Sequence, residues 1–195
     1  MMTPFWAKLV FVVGAIAWGA IRAPHQRRAW KTKTRVNARG LREKLLLTSS
    51  LTGLGIIPFI YAATGFPRFA DYQFRPALAW LGALTFLGAL WLFYATHKTL
   101  GRNWSDSLEV RETHTLVTGG PYRLVRHPMY SAFFLWAIAQ ALLLPNWVAG
   151  FSGLVGFGIL FLCRVAHEER LMLDTFGAPY RSYMGRTARV IPWIY

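Results

Sequence analysis

The stretch His114–Tyr130, HTLVTGGPYRLVRHPMY, decides how this chain is read. It is polar, basic and punctuated by Gly and Pro, yet it lies between long apolar runs. Gly119, Gly120 and Pro121 force a turn. Arg126 and His127 stand directly before Pro128, which suits the first turn of a helix because its missing N–H would have had no partner there. From Met129 the chain is apolar, so a basic pair is set where a membrane helix begins. Two readings of the stretch stay open at this point. One is a functional site facing away from lipid; the other is a basic anchor at a membrane interface.

Downstream, Met129–Cys163 runs 35 residues without a charge. That is too long for one span and about right for two short ones. Pro145, Asn146 and Trp147 supply a break, which predicts a tight helical hairpin with spans at 129–144 and 147–163. Upstream, apolar runs predict spans at 5–21, 45–66 and 77–95, with Pro58 kinking the second. The N-terminal run reads as a span rather than a cleavable signal. The tail from Arg164 is polar, expected to be helical through Phe176 and broken at Gly177–Pro179. Gly150, Gly153 and Gly156 recur every three residues and would let another backbone approach closely; Gln140, inside the fourth span, needs an interhelical partner.

Composition agrees with a small polytopic membrane protein. Of 195 residues, 54% are hydrophobic, and the mean hydropathy is +0.31. The length fits a single domain over 1–195, with the polar chemistry in 96–195. The formal net charge is +14, and its placement matters more than its size. Segments 22–44, 96–128 and 164–195 carry 9, 5 and 5 Lys/Arg; 67–76 carries 2 and the hairpin tip none. The positive-inside rule puts the three rich segments in the cytoplasm. The expected fold is therefore an all-α integral membrane protein with five transmembrane helices, N-terminus outside and C-terminus inside. The 22–44 segment suits anionic headgroups, at roughly 1 kcal/mol per basic residue. Nucleic acid is disfavoured because no stacking platform or binding motif accompanies the charge. With the single Cys163 in an apolar run, neither a disulfide framework nor a metal cluster is expected.

A hairpin returns the chain to the side it left. Arg164, His167, Glu168 and Glu169 follow it, so Arg164 and Glu168 come back near Arg126 and His127. Arg164 and Glu168 are four apart and share a helical face. A plain ion pair clamping the hairpin base explains those two residues. It does not explain the turn, the His-Pro step, or Tyr122 and Tyr130 beside it.

HTLVTGGPYRLVRHPMY, an uncharged hairpin, RVAHEE and FGAPYRSYM together resemble the isoprenylcysteine carboxyl methyltransferase family, over roughly residues 96–195. The five-span layout is similar to that of its short prokaryotic members, set in the inner or plasma membrane. The wider superfamily includes phospholipid N-methyltransferases and small-thiol S-methyltransferases, so the motifs speak less specifically for substrate. The resemblance implies an S-adenosylmethionine site on the cytoplasmic face. His114, Thr115, Leu116 and Val117 match the family's cofactor-binding HTLV segment, and Tyr122 matches a cofactor-binding Tyr. His127, Pro128, Met129 and Tyr130 match its His-Pro-x-Tyr step, and Glu168 matches the acidic cofactor ligand. Arg164 matches the Arg assigned to substrate and catalysis. Ser107 stands where eukaryotic members carry a cofactor-contacting Gln, and Ser131 replaces a frequent Gly.

The chemistry is physically consistent. Glu168 can take the cofactor's amino group, and His127 or Arg126 its carboxylate. Tyr122 or Tyr130 can flank the sulfonium. An acceptor carboxylate is already ionised at pH 7 and needs no general base. Arg164 can hold it through a bidentate fork. A lipophilic or lipidated acceptor would enter sideways from the bilayer. Two competing classes remain. One is a nicotinamide-dependent membrane reductase, since sterol reductases share a similar C-terminal region. The other is a membrane scaffold, which would bind no cofactor.

Overall fold

The computed structural model describes residues 1–30, 40–101 and 115–194. The site expectation at His114, the Ser107 position and residues 31–39 of the first basic segment lie outside them.

The long apolar runs become helices. α1 covers Pro4–Trp30, α2 Leu41–Leu51, α3 Ile57–Thr64, α4 Pro76–Leu100, α5 Pro128–Leu143, α6 Trp147–Phe176 and α7 Ala178–Met184. Four helical stretches among the described residues are long and apolar enough to cross a membrane: Pro4–Arg28, Leu41–Thr64, Pro76–Leu100 and Trp147–Phe176. α5 is apolar but only 16 residues long. The outward surface carries Val13, Ile16, Leu84, Leu87, Trp91, Val155 and Leu162, all exposed, as lipid-facing helices require. Inside, Trp18 stacks on Phe93 at 3.5 Å, and Phe133, Trp136 and Phe157 continue the same aromatic core.

The second rod is not simply kinked at Pro58. A π turn over Thr52–Ile56 joins α2 to α3 just ahead of that proline. Such a turn breaks the regular ladder of backbone hydrogen bonds. Here the Gly53 carbonyl accepts from Gln140 Nε2 at 3.1 Å and from Ser152 Oγ at 2.7 Å. Gln140 thus finds the partner its buried position demands, and it donates to the Ala149 carbonyl as well. The glycine stripe serves the same seam. A Cβ on Gly156 would run into the Ser49 carbonyl and Gly53 Cα of the second rod, and one on Gly153 into Gln140 and Leu54.

The α5–α6 hairpin is as tight as the sequence predicts. Asn146, fully buried, caps α6 by accepting from the Ala149 N–H at 2.8 Å. Its Nδ2 donates to the Pro67 carbonyl and to Asp71 Oδ1. The loop between α3 and α4 is therefore pinned to the hairpin tip at one end of the bundle. At the other end α6 does not stop with the apolar run but continues to Phe176, where Gly177 takes φ +59 and ends it.

Candidate functional site

The turn that opens the site is built on glycine. Gly120 takes φ +57 and packs on Thr99 of α4, where a Cβ would collide with the threonine side chain. A short 3₁₀ helix, Gly120–Arg123, carries Tyr122 inward. The chain then extends through Val125 and His127 into Pro128, the start of α5.

The polar tail closes over this turn. The Arg126 N–H donates to the Ala188 carbonyl at 2.7 Å and the His127 N–H to the Arg189 carbonyl at 2.9 Å. Ser131 Oγ donates to the Val190 carbonyl at 2.6 Å. Tyr183 OH donates to the Tyr122 carbonyl at 2.5 Å. Burial pushes the Tyr183 phenol up to about 12, so it remains a donor at any physiological pH. Burial, followed by the negative charge of Glu168, raises Tyr122 well above an ordinary phenol.

The two adjacent glutamates of α6 separate in role. Glu169 is buried, and its Oε1 lies 2.9 Å from Arg126 Nη2 while its Oε2 lies 2.8 Å from Arg189 Nη2. Arg126 also donates to the Met184 and Thr187 carbonyls. The Arg126 guanidinium thus ties the turn to α6 and the tail. Glu168 keeps 30% of its side chain exposed. Its Oε2 accepts from Tyr130 OH at 2.6 Å, and its Oε1 lies 3.9 Å from His127 Nδ1. The His127 ring lies against Tyr130, centroids 5.4 Å apart. Arg164 Nε lies 3.9 Å from Glu168 Oε2, and Arg164 Nη1 lies 2.9 Å from Glu43 Oε1 on α2.

Of the residues expected at the site, His127, Tyr130, Glu168 and Arg164 come together, and Tyr122 lies within electrostatic reach of Glu168. Pro128 is buried at the start of α5, and Met129 packs on the apolar core. Thr115 is exposed, while Leu116 and Val117 are half-buried on an extended run leading to the turn. Sequence reasoning missed Glu43, Glu169, Arg189 and Tyr183. Two of them had a faint signal: Glu43 is the lone acid among nine basic residues in 22–44, and Glu169 is the second of an acidic pair.

Comparison with known proteins bears out the resemblance. Residues 80–174 match the model of the isoprenylcysteine carboxyl methyltransferase (ICMT) family. Protein-S-isoprenylcysteine O-methyltransferase B of Arabidopsis thaliana is 32% identical over 98 residues, 49% of this chain and 50% of that protein. The Dictyostelium discoideum enzyme of that name is 30% identical over 136 residues, covering 64% of this chain and 56% of its own length. The Homo sapiens enzyme is 35% identical over 98 residues, 49% of this chain and 34% of that protein. The chain thus spans about half the length, or less, of the curated relatives it matches. The solved structure of a eukaryotic intramembrane Ras methyltransferase, an isoprenylcysteine carboxyl methyltransferase, shares the fold. It superposes with a TM-score of 0.53 at 24% identity, over 82% of this chain and 55% of that one.

Proposed function

We propose that the family match over residues 80–174 extends to activity. On this reading the chain is a multi-pass membrane methyltransferase that uses S-adenosylmethionine to methylate a carboxylate on a lipophilic acceptor, such as a C-terminal S-isoprenylcysteine. The observation that carries the reading is the partly exposed Glu168 set among Tyr130, His127 and Arg164 at the mouth of the hairpin. α5 acts as a fifth, short span, and the site opens to the cytoplasm. The concentration of Lys/Arg in segments 22–44, 96–128 and 164–195 supports this orientation. Anionic headgroups would gather at 22–44.

The residues fit the cofactor. Tyr130 occupies one oxygen of Glu168, and a carboxylate has acceptor capacity for an ammonium as well. His127 would take the cofactor's carboxylate, and Tyr122 would flank its sulfonium. Thr115, Leu116, Val117, Pro128 and Met129, with His114 outside the described residues, would complete the cofactor walls. When bound, S-adenosylmethionine supplies an electrophilic methyl group. Arg164 is the catalytic residue: its guanidinium grips the acceptor carboxylate and orients one oxygen for transfer. The surrounding apolar helices strip water from that oxygen.

The test is a titration of purified protein with S-adenosylhomocysteine, with a nicotinamide dinucleotide as control. Methyl transfer is then assayed to N-acetyl-S-farnesylcysteine, a phosphatidylethanolamine and a small thiol. Saturable binding of S-adenosylhomocysteine and transfer to the prenylated carboxylate are expected. Binding of the dinucleotide alone points to a reductase, and binding of neither to a scaffold.

A further inference from the structure

The family match begins at residue 80, yet one contact to Arg164 comes from far outside it. Glu43 sits in the first turn of α2 and is buried, at 7% exposure, on a stretch otherwise rich in cations. Its Oε1 lies 2.9 Å from Arg164 Nη1. A carboxylate is not kept out of water without a partner of opposite charge. Arg164 therefore stands between two acids: Glu43 on Nη1, and Glu168, farther off at 3.9 Å, on Nε. Only Glu168 also meets Tyr130 and His127. Glu43 lies where α2 meets α6 and a small cleft opens.

That cleft is lined by Arg42, Glu43, Leu46, Cys163, Arg164 and His167, with Gly40 at its rim. Arg42 is fastened across the seam by donating to the Cys163 carbonyl at 3.0 Å. Two guanidiniums against one carboxylate leave the lining with a net positive charge, which suits an incoming anion. Leu46 adds a partly buried apolar side chain to the lining.

We propose that Glu43 is a positioning residue. It holds Arg164 on the wall of the α2–α6 cleft, so that the acceptor's carboxylate meets the guanidinium from that side while Glu168 serves the cofactor. This rests on the methyltransferase reading. The division of labour follows from charge. With Glu43 as counter-ion, Arg164 remains paired when Glu168 is engaged elsewhere. Without Glu43, the Arg164 guanidinium would lose the contact that fixes it on the cleft wall, and the acceptor would meet a misdirected cation.

The experiment uses the full chain in detergent, with N-acetyl-S-farnesylcysteine as acceptor. Glu43→Gln should raise the acceptor KM about tenfold or more, as expected for disturbing a charge-assisted contact. S-adenosylhomocysteine affinity should stay within about twofold of the parent, and Glu43→Asp should recover part of the loss. A structural clamp would act differently, lowering thermal midpoint, cofactor affinity and turnover together; that pattern, or an unchanged KM, overturns the proposal. Cys163, the only cysteine in the chain, gives a second readout that needs no variant at Glu43. Its alkylation by a maleimide should be slowed by the acceptor and not by S-adenosylhomocysteine. Equal alkylation with and without acceptor overturns the cleft assignment even if Glu43→Gln fails to fold. A parent protein that binds no S-adenosylhomocysteine is a different failure, and it removes the methyltransferase reading itself.

Discussion

Arg126 and Glu169 meet at 2.9 Å, joining the turn before α5 to the C-terminal part of α6. Their side chains are 9% and 5% exposed, and Arg189 of the tail completes the cluster. Removing one member of such a group leaves the others buried and uncompensated. Glu169→Ala should therefore cost about 3–5 kcal/mol and lower the thermal midpoint in detergent sharply. A midpoint equal to the parent's would mean that the cluster is relaxed by water and does not hold the tail.

Glu168 sits one residue away and should behave differently. Because it is 30% exposed, its loss is tolerable to the fold. Glu168→Gln should leave the thermal midpoint near that of the parent and weaken S-adenosylhomocysteine by about 1.5–3 kcal/mol in a calorimetric titration. Undiminished affinity would reduce Glu168 to a tether for Tyr130.

Arg164→Lys retains the charge but loses the planar fork. Methyl transfer to a prenylated carboxylate should fall at least about tenfold while S-adenosylhomocysteine affinity barely changes, since the lost contact is to the acceptor. Turnover at the parent's rate would show that a point charge suffices and that the fork plays no part in orientation.

The glycine stripe offers a paired control within one helix. Gly156→Ala puts a methyl group against the Ser49 carbonyl and should cost about 1–3 kcal/mol through overpacking. At Gly158 a Cβ meets nothing within 4 Å. Gly158→Ala should therefore be neutral or slightly stabilising, by up to about 1 kcal/mol from helix propensity. Equal effects at both positions would argue that the second rod is not packed against α6 as described.

What the sequence determined by itself were the features that depend on local chemistry. Apolar length set the helices, since a backbone in lipid must satisfy its own hydrogen bonds. Pro145 and Asn146 set the hairpin, and Gly177 the end of α6, because turn residues act through their own dihedral preferences. A returning hairpin sufficed to bring Arg164 and Glu168 back toward His127. Tertiary structure decided which charges pair, because an ion pair depends on where two remote side chains arrive and not on their spacing. Nothing local distinguishes Glu168 from Glu169, yet one helical step turns one toward Tyr130 and buries the other between Arg126 and Arg189. The same holds for Glu43, which reads as a stray acid in a basic segment until α2 packs on α6 and sets it against Arg164.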